Sequence, residues 1–79
     1  MSLTPLVQHL VETLVAEPEV VNVREARERE GTVYYVRVAP NDVGKVIGKN
    51  GRVISAVRSL VSAVAAKTRH RAFVKVITD

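Results

Sequence analysis

Four residues near the middle of the chain, Gly48–Gly51 with the sequence Gly-Lys-Asn-Gly, combine glycine with positive charge. Glycine adopts backbone angles that other residues avoid, and its missing side chain lets another molecule approach the backbone. Aliphatic residues at helical spacing lie on both sides, which predicts a turn between two helices. The second helix would then present N–H groups and its positive dipole end to a phosphate. Lys45, Lys49 and Arg52 would add positive charge around the turn.

Two other phosphate-binding glycine motifs do not fit this stretch. A P-loop needs four residues between its glycines and then lysine with a hydroxyl residue, whereas three residues separate Gly44 from Gly48 and Asn50 replaces the hydroxyl. A dinucleotide-binding motif needs a strand before its glycines, and here a helix is predicted. A plain structural alternative stays open, in which Gly48 ends one helix and Gly51 is a hinge.

The length and composition limit the classes of function. With 79 residues the chain is predicted to form a single domain over residues 1–79, and it has no cysteine for a disulfide or a thiolate metal site. His9 and His70 are far apart without a carboxylate cluster between them, so we expect no metal site, no cofactor and no catalytic residues. No segment resembles a signal peptide or membrane span, which favours a cytoplasmic protein without membrane insertion.

The charge is distributed unevenly along the chain. The net charge is +4, but residues 1–40 sum to −2 and residues 41–79 sum to +6. This asymmetry favours a polyanionic partner such as a nucleic acid. The basic run of Lys67, Arg69 and Arg71 would be either a solvated connector or a second phosphate-binding patch.

The hydrophobic pattern predicts the elements that position the turn. The first helix should begin with Thr4 as its cap and Pro5 in its first turn, and should end at Glu17-Pro18. Strands are predicted at residues 20–28 and 32–38 as a hairpin, and at residues 72–78. Helices are predicted at residues 43–47 and after Gly51. The order α-β-β-α-α-β indicates an α+β fold, in which helices cover one face of a three-stranded sheet.

The segment Val46–Ile54 resembles the signature of KH domains, whose Gly-x-x-Gly loop clamps about four nucleotides of backbone. The element order resembles the type II form of this domain. The whole chain is most similar to the KhpA-like small bacterial KH proteins. The resemblance implies an RNA-binding protein that is not an enzyme, acting on single-stranded RNA as a post-transcriptional regulator or RNA chaperone.

The resemblance also implies roles for individual residues. Gly48 and Gly51 would let the RNA backbone approach, while Lys49 and Asn50 would contact phosphates at the tip of the loop. Aliphatic residues on either side would line or support a groove for the bases. The RNA-binding residues expected on this basis are Lys45, Val46, Ile47, Gly48, Lys49, Asn50, Gly51, Arg52 and Ile54.

Two alternatives remain open from the sequence. The groove would also accept single-stranded DNA unless the 2′-OH is read. The chain would instead serve as a protein-interaction adaptor, with a second copy or a larger KH-containing protein as its partner and a link to cell-envelope growth, as the resemblance implies. Small residues beside the apolar stripe of the long helix, with Leu60 at their margin, suggest where a homodimer would form. The residues expected there are Ala56, Ser59, Leu60 and Ala63.

Overall fold

The computed structural model describes residues 2–78, which form a three-stranded sheet and three α-helices. The helices are α1 (Thr4–Glu12), α2 (Val43–Ile47) and α3 (Arg52–Lys67). The strands are β1 (Asn22–Glu28), β2 (Gly31–Arg37) and β3 (Ala72–Val76). The predicted α+β class and the predicted order of elements are therefore confirmed.

The sheet is mixed, with the strand order β1-β2-β3. Strands β1 and β2 pair antiparallel as the predicted hairpin, with Val23 opposite Val36. Strand β3 pairs parallel to β2, with Val76 opposite Val36. A parallel pair needs a long crossover, which α2 and α3 supply, so the turn between these helices lies on the connection from β2 to β3.

The core lies between one face of the sheet and the helices. Side chains alternate along a strand, so Tyr34, Val36 and Val74 point to this face and join the buried cluster. Val7 of α1 and Val61 of α3 meet them and are fully buried. The Tyr34 hydroxyl accepts a hydrogen bond from the Leu3 N–H at 3.0 Å, which ties the start of α1 to the central strand.

The first helix differs from its prediction at both ends. Thr4 does not cap it, because Leu3 occupies the cap position and the Thr4 hydroxyl donates to the Glu25 carboxylate at 3.0 Å. The helix ends at Glu12 and does not continue to Glu17. The N–H groups of Ala16 and Glu17 donate to the Asp42 side chain, so they are lost to the helix.

The boundaries of all three strands differ from the prediction, and β2 is shifted by one residue to Gly31–Arg37. Residues Pro18–Val20 form a 3₁₀ turn, so β1 begins at Asn22 and Val20 lies outside it. Strand β3 ends at Val76, although the Ile77 N–H still donates to the Val36 carbonyl at 2.8 Å. Within residues 2–78, no helix has the length and apolar character needed to cross a membrane.

Candidate nucleic-acid interface

The segment Gly48–Gly51 separates the two helices of the crossover, α2 and α3. Helix α2 ends at Ile47, and Gly48 then takes φ 77° and ψ 173°, a conformation that is almost exclusive to glycine. Asn50 and Gly51 follow in the left-handed region with φ 57° and 72°. Asparagine tolerates that region better than most residues. The turn therefore separates α2 from α3, and Lys49 and Asn50 lie exposed at its tip.

The two glycines of the loop have different surroundings. A Cβ at Gly48 would overlap the side chain of Val53, so this glycine lets the chain fold back tightly against α3. A Cβ at Gly51 would meet no atom within 4 Å. Gly48 is thus needed for packing inside the protein, whereas the backbone at Gly51 is open to an approaching molecule.

The positive charge around the loop is available to an external anion. Lys49 and Arg52 are exposed, and neither forms an ion pair with another residue in the range 2–78. No side chain caps the N-terminus of α3, which keeps its positive dipole end uncovered. Lys45 differs, because its Nζ lies 3.4 Å from Oδ1 of Asp42.

Asp42 holds α2 in place from beneath. Its side chain is 1% exposed and accepts the backbone N–H groups of Ala16 and Glu17 at 3.1 and 3.0 Å. The hydrogen bond from Ala16, followed by those from Glu17 and Lys45, lowers the pKa of Asp42, although burial acts in the opposite direction. Asp42 occupies the N-cap position of α2, but its side chain does not cap the helix, because the carboxylate faces the segment after α1.

The aliphatic residues around the loop divide into core and surface. Val46 is fully buried and Ile54 is 6% exposed, so both support the loop from the core. Ile47 is half-buried at the end of α2 and lies next to the loop. Of the three aliphatic residues that the resemblance implies, Ile47 is the one that reaches the surface.

A groove between α3 and β3 contains polar residues that the sequence analysis did not assign to the site. Arg58 Nε donates to the Val74 carbonyl at 3.0 Å, and Ser62 Oγ donates to the Ala72 carbonyl at 3.4 Å. These bonds occupy carbonyls on the outer edge of β3, which has no neighbouring strand on that side. Phe73 and Lys75 complete the lining.

A signal for this groove exists in the sequence. Ser55, Arg58 and Ser62 follow Gly51 in steps of four, three and four residues. That spacing places them in a polar row on α3 that starts at the loop. Which strand lies beside this row could not be read from spacing, because it depends on the parallel pairing of β3.

The basic connector lies at the far end of the same groove. His70 and Arg71 line it together with Ser62 and Phe73. Lys67, Arg69 and Arg71 are all exposed. The groove therefore has a basic segment at each end, the loop at one and the connector at the other. In the part of the chain that the structure describes, no group of three histidine or carboxylate side chains is placed to hold a metal ion.

Comparisons with known proteins identify related chains. A family model of the KhpA/KhpB KH domain matches residues 4–76. The RNA-binding protein KhpA of Caldanaerobacter subterraneus subsp. tengcongensis is 42% identical over 72 residues, which are 91% of this chain and 96% of that protein. The protein of that name from Streptomyces coelicolor is 45% identical over 60 residues, 76% of each chain.

A more distant relative covers almost as much of the chain. The RNA-binding protein KhpA of Chlamydia caviae is 34% identical over 71 residues, which are 90% of this chain and 91% of that protein. No solved structure matches the chain. The similarity to curated relatives thus spans the helices, the sheet and the loop.

Proposed function

This chain belongs to the KhpA/KhpB family of KH domains, and from that premise we propose that it binds single-stranded RNA through the loop Gly48–Gly51. The family is not an enzyme family, and the curated relatives are named RNA-binding proteins. The observation that carries the proposal is the exposed turn between α2 and α3, with an open backbone at Gly51 and unpaired charge on Lys49 and Arg52.

Each predicted residue has a role in this proposal that its position allows. Backbone phosphates bind over Gly51 and next to Lys49, Asn50 and Arg52, where N–H groups and cations converge. The bases lie in the groove between α3 and β3, which is lined by Arg58, Ser62 and Phe73. Gly48, Val46 and Ile54 keep the loop in shape from below, and Lys45 contributes part of its charge because Asp42 shares it.

The affinity of this interface should be modest. One KH module contacts about four nucleotides, so a dissociation constant of about micromolar is expected. Because phosphate contacts dominate, the affinity should fall with salt, with a log–log slope of about −0.7 for each phosphate contacted on a single strand. Single-stranded DNA should bind less well only if the 2′-OH is contacted.

The test changes the charge of the loop without disturbing the fold. Lys49→Asp together with Asn50→Asp places negative charge at the exposed tip, and aspartate accepts the left-handed angles of residue 50. We expect RNA binding to fall by roughly 100-fold or more, with a Tm within about 2 °C of the wild type. Fluorescence anisotropy with a labelled single-stranded RNA and thermal melts measure the two quantities.

A matched control keeps the comparison specific. Arg29→Asp makes the same charge change as Lys49→Asp, but on the exposed turn between β1 and β2. It should leave RNA affinity within about threefold, since only general electrostatics changes. If Lys49→Asp alone and Arg29→Asp reduced RNA affinity equally, the loop would have no special part in binding. Crosslinking in cells with the loop variant as reference would then test a role in RNA regulation or as an RNA chaperone.

A specific observation also favours self-association as a second candidate function. Leu60 is 46% exposed, and it lines a shallow groove between α1 and α3 with Leu10, Leu14, Val53 and Ala56. Ala56, Ser59 and Ala63 are exposed on α3 as well, so a second copy or a larger KH-containing protein would meet small side chains there. Sedimentation at tens of micromolar, with Leu60→Glu against wild type, tests this: a monomer in both cases excludes a homodimer at this surface.

A further inference from the structure

The sheet face opposite the helices carries aromatic and basic side chains, and no helix within residues 2–78 covers it. We call this surface the open face, made of Arg24, Ala26, Val33, Tyr35, Phe73 and Lys75. Strand alternation places these residues opposite to Tyr34, Val36 and Val74, which point into the core. Val33 is 4% exposed and yet lies outside the core cluster, because its neighbours on the open face cover it.

The strand register arranges the open face in two rows. Val33 lies opposite Ala26 on one side and Phe73 on the other. Tyr35 lies opposite Arg24 on one side and Lys75 on the other. Neighbouring strands are about 4.8 Å apart, so the two cations flank the tyrosine at the spacing of one strand each. The two aromatic rings are diagonal neighbours in adjacent rows.

Both rings are presented in a way that suits stacking. Phe73 is 41% exposed on the edge strand. Tyr35 is held at its hydroxyl, which donates to Glu28 at 3.0 Å, and the Arg24 guanidinium lies 5.5 Å from the ring centroid. A ring fixed in this way loses little conformational freedom on binding. Because the guanidinium covers one face of the Tyr35 ring, a base stacks on the opposite face or on the guanidinium itself.

The charge of the open face favours a polyanion over a neutral surface. Alternation directs Arg24 and Lys75 to this side, and Glu28 is the one acidic residue of the three strands that faces it. Rings surrounded by cations are the arrangement that single-stranded nucleic acids bind without sequence preference. A second copy of the chain would bring the same positive charges together, which opposes dimerisation through this face.

Phe73 connects the open face to the groove. It lines the groove between α3 and β3 and also belongs to the row of Val33. An RNA strand that follows β3 can therefore pass over the edge of the sheet onto the rings. We propose that the open face binds a second segment of the same single-stranded RNA, by base stacking on Phe73 and Tyr35 and phosphate contacts from Arg24 and Lys75.

This inference rests on the proposed function, and the length of the RNA separates the two. An oligonucleotide of about four nucleotides fills the loop and groove alone, whereas one of about twelve also reaches the open face. The longer RNA gains affinity from its greater number of binding registers in every variant. The comparison that matters is therefore between variants on the same RNA.

The experiment uses Arg24→Glu and Tyr35→Ile, which change the open face without touching the loop or groove. We expect each to weaken binding of the twelve-nucleotide RNA by about tenfold and to leave the four-nucleotide RNA unchanged. Isoleucine keeps a good strand former at position 35, and melts show whether the fold survives. Arg29→Glu, off the face, is the matched control for charge.

The possible outcomes point in distinct directions. Unchanged binding of the long RNA by both variants overturns the inference and leaves the loop proposal intact. An equal loss for both RNA lengths overturns it too, because the open face is then not separate from the loop site. If Arg24→Glu instead alters the sedimentation of the protein without RNA, the open face is a protein contact and the inference fails. If the loop substitution does not weaken binding of the short RNA, the proposed function fails, and the inference that rests on it fails as well.

Discussion

Polar groups are exposed in the loop Gly48–Gly51 but buried and paired in the contact that anchors α2. In the loop, Lys49 and Asn50 are exposed and the backbone at Gly51 is open. At the anchor, which we define as Asp42 with the N–H groups of Ala16 and Glu17, the carboxylate is 1% exposed and every bond is internal. Asp42 itself lies only six residues before Gly48 along the chain.

This difference separates binding from stability. A buried polar group must be paired, so the anchor fixes where α2 begins and contributes to folding. An exposed polar group without a partner adds little to folding and is free to pair with a ligand. Substitutions at the anchor should therefore change the melting temperature, and substitutions at the tip of the loop should change affinity.

The largest effect on stability is expected from Asp42→Ala. It leaves two backbone N–H groups without an acceptor and also removes the partner of Lys45. Each hydrogen bond to a charged group contributes about 1.5–3 kcal/mol, so the loss of both should lower Tm by roughly 10–20 °C in a domain of this size. Circular dichroism melts measure the change, and RNA affinity at a temperature where the variant is folded should remain within about threefold of the wild type.

Lys49→Ala provides the opposite case. Its side chain is exposed and has no ion pair within the described residues, so Tm should move by less than about 2 °C. A large fall in Tm with Lys49→Ala, or none with Asp42→Ala, would reverse the assignment of roles. Thermal melts of both variants measure these changes.

The next largest effect distinguishes the two glycines inside the loop. Gly48→Ala combines an unfavourable backbone conformation with an overlap against Val53, so we expect Tm to fall by roughly 10 °C. In Gly51→Ala the added methyl group meets open space, and only the left-handed backbone angle is unfavourable. We therefore expect Tm to fall by roughly 5 °C. Thermal melts of both variants test this order.

RNA binding should show the opposite order for these glycines. A methyl group at Gly51 stands where a phosphate would approach, whereas one at Gly48 points into Val53. Gly51→Ala should therefore weaken RNA binding more than Gly48→Ala when both are folded. Equal effects of the two glycines on stability and on binding would indicate that the loop works as a single hinge.

The sequence predicted the parts of this comparison that depend on local spacing. The interruption at Gly48 and Gly51 and the helices on either side follow from glycine positions and apolar periodicity. The anchor could not be predicted in this way. Asp42 stands where a helix cap is common, but its partners are 25 and 26 residues earlier in the chain.

The groove and the end of α1 show the same limit. The apolar stripe from Leu6 to Val15 fits a longer helix, but α1 stops at Glu12 and the following N–H groups of Ala16 and Glu17 donate to the distant carboxylate of Asp42. Similarly, the sequence shows Arg58 only as one more cation on α3. Its bond to the Val74 carbonyl depends on β3 lying beside α3. Tertiary contacts decided each of these features, and periodicity contains no information about them.

A smaller effect, on the salt dependence of RNA binding, is expected to differ between paired and unpaired lysines. Lys49 is free among the described residues, whereas Lys45 lies 3.4 Å from Asp42. Lys49→Gln should reduce the magnitude of the salt slope of RNA binding by about 0.7, the value for one phosphate on a single strand. Lys45→Gln should reduce it by less, because part of its charge is already neutralised. Titrations of RNA at several salt concentrations measure both slopes, and a larger effect from Lys45 would contradict the pairing.

The smallest effect concerns the protonation of the anchor. The folded-state pKa of Asp42 is lowered below its ordinary value of 3.8, so its contribution to stability is complete above about pH 4 and is lost as the pH falls through the folded-state pKa. The Tm difference between wild type and Asp42→Asn should therefore be largest near neutral pH and shrink by a few degrees in acid. Glu25 also has a lowered pKa, because the hydroxyls of Ser2 and Thr4 donate to it, but it is present in both proteins and its effect cancels in the difference. A difference that stays constant into acid would mean that the shape of the side chain, and not its ionised form, holds α2 in place.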